Sequence, residues 1–185
     1  MKRHLKLMSA ALTGCLFATL ATASAESYEV DKGKSKIEIA AKATGHEFGG
    51  SLKDFKITAS GDMATLKPTA LDFSWNFKDL DTADAKRDDE MIKWLGGGNP
   101  QGSYKFVKVW SKNGVDYAEG TLTIHGVSKT VHIPITVKKD GDTITTSGKL
   151  VIDYKDFGLP LIRAMLVMTV EPEVTVSFTL VGKAK

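Results

Sequence analysis

Cysteine is almost missing from this 185-residue chain, and its one copy, Cys15, lies in an N-terminal stretch expected to be removed. A chain without thiols has no disulfide scaffold, no cysteine nucleophile and no thiolate metal ligand. Gly-x-Ser-x-Gly, His-Glu-x-x-His and a phosphate-cradling glycine loop ahead of a helix are also lacking. The common hydrolase, metalloprotease and nucleotide-binding signatures are thereby excluded. The stretch Gly96-Gly97-Gly98-Asn99-Pro100 follows a helix and precedes a strand, the wrong order for a P-loop. No cofactor is expected. His46, His125 and His132 have no metal-ligand spacing, and no metal site is expected either.

The first residues read as an export signal. Met1 to Lys6 is basic, Leu7 to Leu20 is mostly apolar, and Ala23-Ser24-Ala25 is a small-x-small cleavage site. Cleavage after Ala25 leaves a periplasmic or secreted domain of residues 26–185. Leu12-Thr13-Gly14-Cys15 also resembles a lipobox, but the apolar run continues into Leu16-Phe17, which favours cleavage after Ala25 over lipidation at Cys15. Lys2, Arg3 and Lys6 account for the whole excess of +3, so 22 basic residues balance 22 acidic ones in the remainder. A neutral domain with scattered charge has no electrostatic footprint for nucleic acid. The apolar run is too short for a stable membrane span.

Period-two alternation dominates the rest. Ile37, Ile39, Ala41 and Ala43 alternate with polar or small residues, as do Leu71, Phe73, Trp75 and Phe77. Val131, Ile133, Ile135 and Val137 form a third apolar face, and Val174, Val176, Phe178 and Leu180 a fourth. The pattern predicts eight or nine strands, near 28–32, 35–44, 47–60, 69–79, 103–111, 115–124, 129–139, 142–154 and 165–181. Turn signals stand at Gly45, Gly61-Asp62, Asn113-Gly114, His125-Gly126 and Asp140-Gly141. Pro172, lacking an N–H, marks a bulge or an unpaired edge. One-sided antiparallel strands close into a barrel or stack as a sandwich, and periodicity alone leaves both open.

One segment, Ala85 to Leu95, reads as a helix, with Asp84 or Thr82 as N-cap and Gly96-Gly97-Gly98 as its stop. At about 100° per residue, Met91, Ile92, Trp94 and Leu95 share an apolar arc, while Lys86, Asp89, Glu90 and Lys93 stand opposite. Arg87 and Asp88 project on the apolar side. A charge there is costly without a partner. Pairing with rim residues would anchor the helix as a plug over one open end. Alternatively, Arg87 holds a polar head group by charge-assisted hydrogen bonds.

Four stretches, in order, resemble the YceI-like family of exported lipid-binding proteins. They are TGHEFGGSLKDF, DLDTADAKRDDEMIKWL (with Thr82, Ala85, Arg87 and Asp88 in the family's helix pattern), GTLTIHGVSKTVHIPITV and LVIDYKDFGL. The likeness spans about residues 28–182. It implies an all-β fold, an extended lipocalin-like antiparallel barrel of about eight strands with a hydrophobic channel and one short helix over one end. It also implies association with polyisoprenoids, such as quinones or polyprenyl phosphates, or other long-chain amphiphiles. Thr130 departs from the family's usual proline, Gly96 to Gly98 add glycine, and residues 159–174 are unusually apolar.

The expected function is a periplasmic carrier, not an enzyme, that holds a long-chain isoprenoid or fatty amphiphile inside the barrel. Phe48, Phe73, Trp75, Phe77 and Met91 are expected against the tail, with Trp94, Leu95, Ile133, Ile135 and Met168. Arg87, Asp88 and Arg163 are expected at the head group or rim. A homodimer is compatible with the sequence. The alternative is a barrel packed solid, acting as a stress-related structural or interaction protein without a lipid. A small hydrolase or isomerase of isoprenoids lacks a nucleophile-and-base constellation.

Overall fold

The computed structural model describes residues 25–164 and 168–185. Residues 1–24 of the expected export signal, Cys15 among them, and Met165 lie outside the described residues, as does the side chain of Met168. Twelve strands and one α-helix follow in order: β1 (Ala25–Val30), β2 (Lys36–Ala43), β3 (His46–Leu52), β4 (Lys56–Asp62), β5 (Lys67–Asn76), β6 (Leu80–Asp81), α1 (Ala85–Trp94), β7 (Gln101–Lys112), β8 (Val115–Ile124), β9 (Val127–Asp140), β10 (Thr143–Asp153), β11 (Arg163–Ala164) and β12 (Met168–Ala184).

Hydrogen bonding runs β1-β4-β5-β7-β8-β9-β10-β12 and returns from β12 to β1, a closed antiparallel ring of eight. At one end the ring is extended by β2, β3 and β6. Strand β2 follows β1 along the same edge of β12, β3 pairs with β2, and β6 pairs with β3. The molecule is thus an up-and-down barrel of eight long staves, three of them built from two strands each. It is the barrel of the two architectures the alternation permits.

Hydrophobic alternation sets which residues point inward. Ala118, Leu122 and Ile124 of β8 are buried, as are Ile133 and Ile135 of β9, while the alternate residues are partly covered on β8 and exposed on β9. Turn chemistry sets the register. Asn113-Gly114 and His125-Gly126 both have positive φ at both positions, the geometry of two-residue hairpins.

Several expected boundaries move. The run 47–60 is two strands, because Lys53-Asp54-Phe55 breaks the ladder. The Asp54 carboxylate there accepts from the Phe55 N–H at 2.8 Å and from Lys32 at 2.6 Å, while Phe55 is buried. Gly61-Asp62 is not the hairpin turn. It ends β4 beside an irregularity in the β4–β5 ladder, and Met63 to Leu66 make the turn. The expected strand 69–79 stops at Asn76, where a single 3₁₀ turn, Phe77–Asp79, leads into β6. Around Pro172 the β12–β2 register shifts between Val170 and Val174, the bulge its missing N–H demands.

Candidate functional site

The barrel is hollow. A cavity of about 1250 Å³ runs inside it, bordered by α1, β2, β3 and the segment before β12 at one end and by Tyr28, Leu66 and Pro68 at the other. That exceeds the roughly 300–1,000 Å³ of ordinary small-molecule pockets. A barrel packed solid is therefore not what this chain builds. Phe55, Phe73, Trp75 and Phe77 follow one another along one wall, with ring centroids 5.4, 5.5 and 5.6 Å apart. Their contacts run up the wall and leave the middle open.

The charged side chains lining the cavity are Asp84, Lys86, Arg87, Glu90, Lys93 and Arg163, with His46 beside them, and all belong to the helix end. At the far end the lining is apolar or neutral. The cavity has one polar mouth and one greasy end.

Helix α1 lies along that mouth and is pinned at both of its own ends. Asp84 is the N-cap, its carboxylate accepting from the Arg87 N–H at 3.1 Å. Thr82 is not the cap; it is a buried hub, 5% exposed. Its hydroxyl donates to Asp88 Oδ1 at 2.6 Å and accepts from Arg87 Nε at 2.8 Å, while its carbonyl accepts from Arg87 Nη2 at 2.7 Å. The Thr82 N–H completes the set by donating to the Asp88 carboxylate. The Arg87 guanidinium also lies over the Phe48 ring, 4.6 Å from its centroid. At the other end, Trp94 Nε1 donates to the Pro160 carbonyl at 3.0 Å and its ring meets Tyr154 edge-on at 5.1 Å. Leu95, Leu122, Ile124, Tyr154, Phe157 and Leu159 pack beneath as a small core.

Phe48, Phe73, Trp75, Phe77, Met91, Trp94, Leu95, Ile133 and Ile135 all line the cavity, and Arg87 and Arg163 stand at its mouth. Asp88 does not line it; Thr82 holds it to the side. Lys86, Glu90 and Lys93, expected to face away, border the mouth instead. The inward arc is centred on Trp94, about 80° from the centre of the apolar arc. Thr82 holds one end of the helix and the Pro160 carbonyl the other, and these two contacts set which side turns inward.

A model of the YceI-like domain matches residues 28–182. The chain belongs to the YceI-like family. Among solved structures, BcnA from Burkholderia cenocepacia is similar with a TM-score of 0.71 and 24% identity, over 83% of this chain and 99% of that one. The YceI protein of Campylobacter jejuni matches with a TM-score of 0.59 and 21% identity, over 74% and 84% of the two chains. A search of curated proteins gave no significant match.

In this YceI-like barrel the sequence pattern did not single out Thr82, Tyr104, Phe106 or Tyr28 as cavity residues. The inward parity of β7 was available for Tyr104 and Phe106. Nothing local pointed to Tyr28, whose hydroxyl reaches Met63 Sδ at 3.1 Å near the far end. Among the described residues, no group of histidines and carboxylates could hold a metal ion, and no helix is long and apolar enough to cross a membrane.

Proposed function

We propose that this YceI-like protein is an exported carrier for a long-chain amphiphile, a polyprenyl lipid or quinone being the class that suits the barrel best. The observation that carries this reading is the lining of the cavity, apolar along its length with charge only at the helix mouth. A tail then lies against Phe73, Trp75, Ile133 and Ile135, and the head group rests at the rim. Each buried CH₂ contributes about 0.8 kcal/mol, so a five-carbon prenyl unit offers roughly 3–4 kcal/mol before ordering costs. A few units suffice for tight binding after those deductions, and the function needs no catalytic step.

Two of the five Arg87 N–H groups are held by Thr82, and Arg163 and Lys86, both exposed at the mouth, are the freer cations for head-group contact. Cleavage after Ala25 and a periplasmic location complete the reading. Native mass spectrometry of protein purified from its own host tests it: a co-purifying lipid is the expected result. Empty protein that also takes up no prenyl lipid when offered would overturn it.

A further inference from the structure

Among the described residues, one buried side-chain polar atom has no hydrogen-bond partner, the Tyr104 hydroxyl. The Tyr104 ring lines the cavity and lies across Gly120, in space that a Cβ there would occupy. It sits between two apolar clusters, one around Leu95 and Leu122 and one around Ala118, Ile133 and Ile135. A hydroxyl removed from water costs free energy unless something replaces the lost hydrogen bond. The protein supplies no replacement here.

We propose that Tyr104 is a specificity-determining residue that donates a hydrogen bond to a neutral acceptor oxygen carried into the barrel by the cargo. The cargo is then an amphiphile with a carbonyl, ether or hydroxyl oxygen at this depth, not a plain hydrocarbon tail. The hydroxyl lies against Gly120 in the structure, so the contact is made by a ring turned off that glycine towards the channel. Burial pushes its pKa up to about 12, with Glu119 adding, and a phenol is a donor at neutral pH even at its ordinary value. An anionic group has no counter-charge at this level, because the cations that line the cavity are all at the mouth. This inference rests on the carrier reading and adds the polarity of the cargo to it.

The test compares wild type with Tyr104→Phe, using decylubiquinone as a probe with acceptor oxygens and squalene as one without. Affinities are read from displacement of the neutral fluorophore N-phenylnaphthylamine. The variant should bind decylubiquinone about fivefold or more weakly, with squalene unchanged. Its empty form should melt about 2–4 °C higher, because the unsatisfied hydroxyl is gone. If the ratio of the two affinities is the same in both proteins, or the empty variant melts lower, the Tyr104 inference is overturned and the carrier reading stands. If wild type binds neither probe, both fall.

Discussion

Replacing Thr82 with valine removes one hydroxyl and almost no volume, yet it acts on two charges at once. In the wild type that hydroxyl accepts from Arg87 and donates to Asp88, and the methyl of Thr82 packs over Gly50 of β3. Valine keeps the packing and leaves the Asp88 carboxylate with only the backbone N–H of residue 82 at 3.2–3.4 Å. Hydrogen bonds to charged groups contribute about 1.5–3 kcal/mol each. The Arg87 side chain is 30% exposed and recovers part of its loss from water. A net cost of about 1–3 kcal/mol follows, or a fall in Tm of about 2–12 °C for a domain of this size. Thermal unfolding followed by circular dichroism gives the number, and a cycle with Asp88→Asn gives the coupling. The two changes should be strongly non-additive, because Asp88→Asn weakens the same contact. A Thr82→Val protein within about 0.3 kcal/mol of wild type, or simple additivity, would refute the hub.

The remaining expectations concern the cavity and its tyrosine. Trp75→Asp should weaken uptake of a prenyl lipid by about 100-fold, by placing a carboxylate in the apolar wall, whereas Lys129→Ala, exposed on β9 and outside the cavity lining, should change it by about twofold or less. Equal effects, measured by the same displacement titration, would mean that the tail does not lie along the Phe73–Trp75 wall. The Tyr104 hydroxyl has a pKa raised from 10.0 to about 12 by burial, so the folded state holds this proton where the unfolded chain has released it. Its contribution is fully present below pH 10 and is lost as pH climbs towards 12. Urea midpoints measured from pH 8 to pH 11.5 should fall less steeply in Tyr104→Phe than in wild type. The slope should not vanish, because burial also raises Tyr28 and Tyr154.

Much of this architecture is legible in the sequence because it rests on local rules. Alternation assigns the inward face of β5 and β9, and the Asn113-Gly114 and His125-Gly126 pairs set two hairpins by their tolerance of positive φ. The N-cap Asp84 and the three glycines after Leu95 bound α1 closely. What escapes is set by long-range geometry. At the break Lys53-Asp54-Phe55, Asp54 meets Lys32, 22 residues away, and the Phe55 ring packs on Phe73, contacts no local pattern contains. The rotation of α1 depends on Thr82 and Pro160 holding its two ends, which no helical wheel contains. Arg87 and Asp88 look anomalous on a wheel because their partner lies upstream of the helix.

Why the barrel stays hollow, despite so many large rings, is a question of where those rings lie. Eight staves leave an interior that upright bulky side chains can fill. In this wall, three aromatic side chains instead lie flat over glycines of neighbouring strands: Trp75 over Gly102, Tyr104 over Gly120, and Phe178 over Gly148, where a Cβ would stand 2.6 Å from the ring. Trp75 and Phe178 are direct cross-strand partners of their glycines, and Tyr104 is the diagonal neighbour of Gly120. A side chain at any of these glycines would occupy the ring's place and push it towards the axis. Glycine in a strand interior sacrifices intrinsic stability. Here three such positions let aromatic faces cover the wall and leave the axis free. The same residues that would pack a core solid therefore line a channel, and their partners across the ladder decide which outcome is reached.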